Sequence, residues 1–239
     1  MVRSNDSLSP LESGTITECV PILSGSNNAF KVSIVDNTGQ VHYGVYKPHR
    51  GERPLWDFPN GSLYMRERAA YLLAIVAGWE FIPLTIIREG PYGTGSVQAM
   101  ISFQSPYGYF DLEASHTNQL WPIAVFDLIA NNADRKGGHC LLDENGKVWS
   151  IDHGLTFHSD FKVRTVISEF WGEDIPECML KKLETLRTTL SKDSLEIREL
   201  QSLISSDEVF SLQQRVAAII EIGRHPMLDV YRNMPWPPY

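Results

Sequence analysis

The sequence predicts an α+β fold in which an antiparallel sheet with one helix precedes a mostly helical part. Three patterns predict it. Alternating apolar strands with short turns come first, an Asn-Gly hairpin stands in the middle, and three amphipathic helical stretches come last. The 239 residues suit one large domain or two tightly packed lobes, and 43% hydrophobic with 21% charged residues is ordinary for a soluble globular protein. A net charge of −8 argues against non-specific nucleic-acid binding, which is driven by phosphate neutralisation, so no nucleic-acid partner is expected. Cys19, Cys140 and Cys178 are far apart, show no metal spacing and read as the reduced thiols of a cytoplasmic protein. The first residues lack the apolar core of a signal peptide, and no run reaches the ~20 apolar residues of a transmembrane segment.

In chain order, residues 15–22, 30–35 and 41–47 read as strands after a polar start. The third sets Val41, Tyr43 and Val45 against His42, Gly44 and Tyr46, and ends on Lys47. Residues 49–61, HRGERPLWDFPNG, must form a loop, yet they carry Leu55, Trp56 and Phe58, which are expected to pack onto the small lobe, with a place in a binding surface as the alternative. Ser62 caps a helix over 63–77 closed by Gly78. Glu67 shares a face of that helix with Ala70, Tyr71 and Ala74, so its carboxylate needs a partner, and Lys47 is the candidate. Strands follow at 81–87 and 96–103, around a Gly-rich turn. A helix over 119–129 then places Asp127 with Leu120, Ile123 and Ala124, as an anchor for loop backbone N–H groups. Near the end come helices over 176–189, about 192–204 and 207–223. The last has a capping box of Ser205 and Glu208 and an expected core stripe of Phe210, Val216, Ala217 and Ile220. The tail YRNMPWPPY is Pro-rich and expected to be irregular.

Residues 127–157, DLIANNADRKGGHCLLDENGKVWSIDHGLTF, carry the chemistry. A helix end leads into a polar loop over 131–139, then into a hairpin that turns at Glu144, Asn145 and Gly146 and ends on Asp152, His153 and Gly154. The hairpin therefore returns the chain so that Asp152 lies near the stretch from Asp134 to His139. Two nearby carboxylates repel unless a proton or a metal lies between them. Together with Arg135, Lys136 and His139, they form the set that metal-assisted phosphoryl transfer needs.

The order Asp134, Arg135, then His139, then Ile151, Asp152, His153, Gly154 and Leu155 resembles the catalytic core of the phosphatidylinositol 3- and 4-kinase-like (atypical protein-kinase-like) superfamily. The chain more closely resembles a bacterial family of uncharacterised proteins grouped by that similarity. The phrases YKPHRGERPLWDFP, MRERAAYLLA, NNADRKGGH and IDHGLTF carry the likeness, over roughly residues 15 to 175. The resemblance implies a two-lobed protein-kinase-like fold, with an N-lobe over 13–102 and a C-lobe over 103–239. It also implies ATP- and divalent-metal-dependent phosphotransfer, with Mg²⁺ or Mn²⁺, to an unknown acceptor: a protein, a lipid or a small molecule.

By the same resemblance, Lys47 in Tyr46–Lys47–Pro48 is similar to the strand lysine of the type II phosphatidylinositol 4-kinases and would hold phosphate oxygens. Glu67 would orient Lys47, Met100 would pack against adenine at a hinge, and Asp134 would position the acceptor hydroxyl or take its proton. Arg135 and Lys136 would neutralise developing charge, and Asp152 would bind the metal that bridges the phosphates. The loop between the first two strands has two readings. It is a plain hairpin turn, or its backbone N–H groups lie over phosphates, as the small residues Ser24, Gly25 and Ser26 allow. The sequence departs from the pattern at His139, where the superfamily has an Asn that ligates the second metal. A single-metal site, a nitrogen ligand favouring Mn²⁺, and a loop hydrogen bond all stay open there. Two further classes stand beside the kinase: a catalytically inactive nucleotide-binding regulatory protein (a pseudokinase), and an interaction module without nucleotide binding.

Overall fold

The structure, a computed structural model, describes residues 9–23, 28–103, 108–112 and 116–239. The chain divides into two compact units, Met1–Met65 with Leu84–Met100, and Arg66–Pro83 with Ile101–Tyr239. The segment Arg66–Pro83 thus clusters with the second unit, although it precedes the 102/103 boundary expected from the sequence.

The first unit is a five-stranded antiparallel sheet in the order β1-β2-β3-β5-β4. Its strands are β1 (Thr15–Ile22), β2 (Ala29–Val35), β3 (Val41–Pro48), β4 (Thr85–Gly90) and β5 (Gly93–Ala99). One face buries Val32, Ile34, Tyr46, Ile86 and Val97 together with Leu11 of the short helix α1 (Pro10–Ser13). Strand alternation turns Lys47 to the other face, where it stands opposite Ser96 in the ladder. That face also holds buried Thr85 and Gln98, joined by a 2.8 Å hydrogen bond from Gln98 Nε2 to Thr85 Oγ1.

Two strand expectations shift. The strand expected over 81–87 starts only at Thr85, after Pro83. The strand expected over 96–103 instead starts at Gly93, because a tight turn between Gly90 and Gly93 (φ 95°) lets the ladder begin earlier. In the loop after β3, Phe58 is buried, but Trp56 is 93% exposed, contrary to the packing expected of it. The loop is tied down by other groups. Glu52 accepts the N–H groups of Leu63 (3.1 Å) and Tyr64 (2.8 Å), and so caps α2 (Leu63–Val76) with a carboxylate.

The second unit contains the rest of α2, then α3 (Thr117–Ala130), the hairpin β6 (Cys140–Leu142) and β7 (Val148–Ser150), and α4 (Glu177–Leu190). After these come α5 (Leu195–Leu203), α6 (Ser206–Ile222) and α7 (Val230–Asn233). α3 is apolar around almost its whole circumference and runs through the core, buried from Ile123 to Ala130. Leu73, Phe157, Leu183, Leu186, Leu200, Leu212 and Val216 share that core.

The expected stripe of α6 is rotated. Phe210 is 62% exposed, and the buried face is Glu208, Leu212, Val216 and Ile219. The cause is Glu208, which closes the capping box and also accepts a 2.5 Å bond from the buried Arg66 Nη2. Fixing Glu208 inward turns Phe210, two positions on and about 200° round, to solvent. The tail is more regular than expected: Asp229 Oδ1 accepts the Tyr231 N–H at 2.8 Å and starts the short helix α7. Among the described residues, no helix is long and apolar enough to cross a membrane.

Candidate active site

α3 ends on Asn131 in the left-handed conformation (φ 54°), which Asn tolerates better than other residues with a side chain. The Asn131 amide donates to the carbonyls of His158 (2.7 Å) and Asp160 (2.6 Å), and its oxygen accepts from Lys162 N at 2.8 Å. Asn132 is the next link. Its Nδ2 donates to Asp127 Oδ1 at 2.8 Å, and its Oδ1 accepts the Asp134 backbone N–H at 3.0 Å. These two asparagines fix the chain reversal that presents Asp134. Sequence reasoning passed over them, though Asn-Asn directly after an apolar helix is the available signal.

Arg135 requires a correction. It was expected to neutralise developing charge, but it is 0% exposed and its donors are taken by protein. Nε and Nη2 grip Asp127 Oδ2 and Oδ1, both at 2.9 Å. Nη1 donates to Ile151 O (2.9 Å) and His139 O (3.3 Å), while Nη2 also meets His153 Nε2 at 2.9 Å. Arg135 therefore ties α3, the loop and the hairpin end together, and has no face left for phosphate. Asp127 is an anchor as expected, but its side chain holds the Arg135 guanidinium and the Asn132 amide instead of backbone N–H groups.

The remaining loop residues are linked to one another by short contacts. Asp134 is partly exposed, and Lys136 Nζ sits 3.1 Å from its Oδ2. Burial lifts the proton affinity of the Asp134 carboxyl above the ordinary Asp value, while Lys136 and His139 pull it back. The hairpin forms as expected. Gly146 takes positive φ (77°), and Asp143 Oδ1 accepts the N–H groups of Asn145 (2.8 Å) and Lys147 (3.0 Å). Its ladder extends to Ile151 N donating to His139 O at 3.0 Å. That register brings His139 Nε2 to 3.1 Å from Asp152 Oδ2. His139 Nδ1 lies 2.9 Å from the Asp134 carbonyl.

Asp152 has φ 60°, in the left-handed region that Asp enters more readily than most residues with a side chain, and its side chain is 47% exposed. The buried Glu67 accepts the N–H of His153, the next residue, at 2.9 Å. The α2 carboxylate thereby holds the backbone behind Asp152. Gly137 lies between the two halves of the cluster. Its N–H donates to Pro238 O at 2.7 Å, and a Cβ there would come 2.6 Å from the Phe110 ring.

The structure therefore brings together Asp134, Lys136, His139 and Asp152, with Glu67 and Arg135 behind them. Lys47 and Met100 belong to the first unit. There Lys47 is half-buried at the end of β3, and the Met100 N–H donates to Tyr43 O at 3.0 Å. Ser24, Gly25 and Ser26 lie outside the described residues.

An antiparallel five-stranded sheet, a helix carrying an inward Glu, and a helical unit holding an Asp-bearing loop and an Asp-ended hairpin define a protein-kinase-like fold. Solved structures agree. The Golgi casein kinase, crystallised with Mn/ADP bound, matches with TM-score 0.53 and 16% identity over 89% of this chain and 73% of its own. The Helicobacter pylori proinflammatory kinase CtkA matches with TM-score 0.50 and 12% identity over 86% of this chain and 93% of its own. No family model matches the chain. It belongs, however, to the family of Protein Rv2133c from Mycobacterium tuberculosis, with 32% identity over 276 aligned residues covering all of this chain and 98% of that protein.

Proposed function

We propose that this protein is an ATP- and divalent-metal-dependent phosphotransferase, related to the phosphatidylinositol 3- and 4-kinases, that acts on an alcohol group of a protein, lipid or small molecule. The observation that carries the reading is the gathering of Asp134, Lys136, His139 and Asp152 at the loop and hairpin end of a kinase-like fold. Asp134 accepts the proton of the attacking hydroxyl. Its burial-raised proton affinity suits that task, because a base is most effective when its pKa approaches the working pH. Lys136 keeps the carboxylate in place and supplies positive charge where Arg135 cannot. Asp152, open to solvent and held by Glu67 through His153, is the carboxylate that takes the cation. A divalent cation bound there would neutralise phosphate oxygens. The donor chemistry fits, since a carboxylate is a hard oxygen ligand. Lys47 takes phosphate oxygens and Met100 lies against the adenine.

The reading is tested by titrating ATP in the presence of Mg²⁺ or Mn²⁺. Lys47→Ala should weaken ATP binding at least tenfold, about 1.4 kcal/mol. Equal affinity in a folded variant removes Lys47 from the site. Turnover of labelled ATP against a panel of lipids, proteins and small alcohols then identifies the acceptor class.

A further inference from the structure

The loop that joins β3 to α2 is not used by the proposed transfer, yet it shapes an open cavity of about 240 Å³. The cavity lies wholly within the first unit. His49, Arg50 and Arg53 stand in its wall, and Leu55, Phe58 and Leu63 supply apolar surface beside them. Among the described residues, the exposed Arg50 side chain makes no hydrogen bond or ion pair. Lys47 and Met100, the residues assigned to the nucleotide, are not part of this wall. The volume falls below the roughly 300–1,000 Å³ of sites that take whole drug-sized ligands, so it suits one small group.

The wall is held in place by local contacts. Gly61 has φ 75°, and a Cβ there would strike the His49 ring, so this glycine lets the imidazole lie against the backbone. The same ring lies 5.8 Å from the Tyr64 ring, centroid to centroid. Glu52 is the acidic residue of the wall, and its two oxygens accept the N–H groups of Leu63 and Tyr64. That carboxylate serves the start of α2. Two guanidinium groups against one engaged carboxylate leave the wall cationic, in a chain whose net charge is −8.

We infer that this cavity binds a phosphate monoester carried on an apolar body, such as an aryl phosphate or a phosphorylated aromatic side chain. A single guanidinium satisfies a carboxylate. A phosphate monoester, with a charge of about −2 and several terminal oxygens, can engage two guanidinium groups and an imidazole together. Leu55 at the rim, with buried Phe58 and Leu63, then offers the organic side of the ester a surface that inorganic phosphate cannot use. The inference does not depend on the phosphotransferase reading, because Asp134, Lys136 and Asp152 take no part in this wall.

Isothermal titration calorimetry on the full chain tests it, with phenyl phosphate, phenol, benzoate and inorganic phosphate as probes. Phenyl phosphate should bind one to one and more tightly than the other three. Arg50→Ala should weaken it about tenfold, in the range of a charge-assisted hydrogen bond. Leu55→Ser should weaken phenyl phosphate and leave inorganic phosphate unchanged. A phosphotyrosine peptide separates the two sources: tighter binding than phenyl phosphate assigns the ester to a protein, weaker binding to a small molecule, and either supports the site. No binding of phenyl phosphate at millimolar concentration overturns the inference. So does affinity equal to that for benzoate or inorganic phosphate, or affinity unchanged in a folded Arg50→Ala. Displacement of phenyl phosphate by ATP with Mn²⁺ also overturns it, by placing the cavity in the nucleotide site. ATP with Mn²⁺, titrated alone, keeps the two readings apart: ATP binding without phenyl phosphate binding sinks this inference and leaves the phosphotransferase reading standing.

Discussion

Asp134→Asn should bind ATP with wild-type affinity and transfer phosphate roughly 10²–10⁴-fold more slowly, the usual worth of a positioned general base. The substitution keeps the shape, removes the group that accepts a proton and gives up the ion pair with Lys136. The backbone contacts at this residue do not involve the carboxylate: its N–H goes to Asn132 and its carbonyl to His139. Stability should move the other way. Burial raises the Asp134 pKa above its unfolded value, so the folded state holds a proton the unfolded state has released. Stability from this group is therefore present below the unfolded pKa and is lost as pH rises through the folded pKa. At neutral pH the ionised Asp134 is a cost, and the amide should melt no lower than wild type. A variant that loses ATP binding in proportion to transfer would place Asp134 in nucleotide binding instead.

Arg135→Met should destabilise the second unit by about 3–5 kcal/mol, because it leaves Asp127 as an uncompensated buried charge. The carbonyls of Ile151 and His139 lose their donor in the same step. Arg135→Lys should rescue little of this. An ammonium cannot reproduce the two-nitrogen grip on both Asp127 oxygens. Urea denaturation measures the loss, and equal midpoints would contradict it. If Arg135 faced phosphate, Arg135→Lys would keep the fold and lose only transfer. The two outcomes separate a residue that builds the loop from one that acts on the ligand.

The parts of this molecule legible in the sequence are those fixed by neighbours in the chain. The hairpin at Asn145 and Gly146, the capping box of α6 and the return of Asp152 toward His139 all rest on short-range patterns, and they stand as expected. The misreadings share a different cause. Arg135 looks like a ligand-facing cation until Asp127, Ile151 and His153 close around it, and nothing in its neighbourhood along the chain announces that closure. Glu208 turns α6 through a pairing with Arg66, far away in sequence, so the apolar pattern alone put Phe210 on the wrong face. Glu52 caps α2 across a loop. Glu67 was seen to need a partner, and a backbone N–H, which has no sequence signature, supplies one.

The most direct measurement is the melting temperature of the protein with ATP and Mn²⁺ or Mg²⁺, together and separately. At 100 times the dissociation constant, binding to the folded state contributes about 2.7 kcal/mol, a rise of about 5–10 °C for a chain of this size. The account predicts that rise with nucleotide and metal together, and its loss in Lys47→Ala and Asp152→Asn. A midpoint unmoved by ATP and either metal at saturating concentration would contradict it.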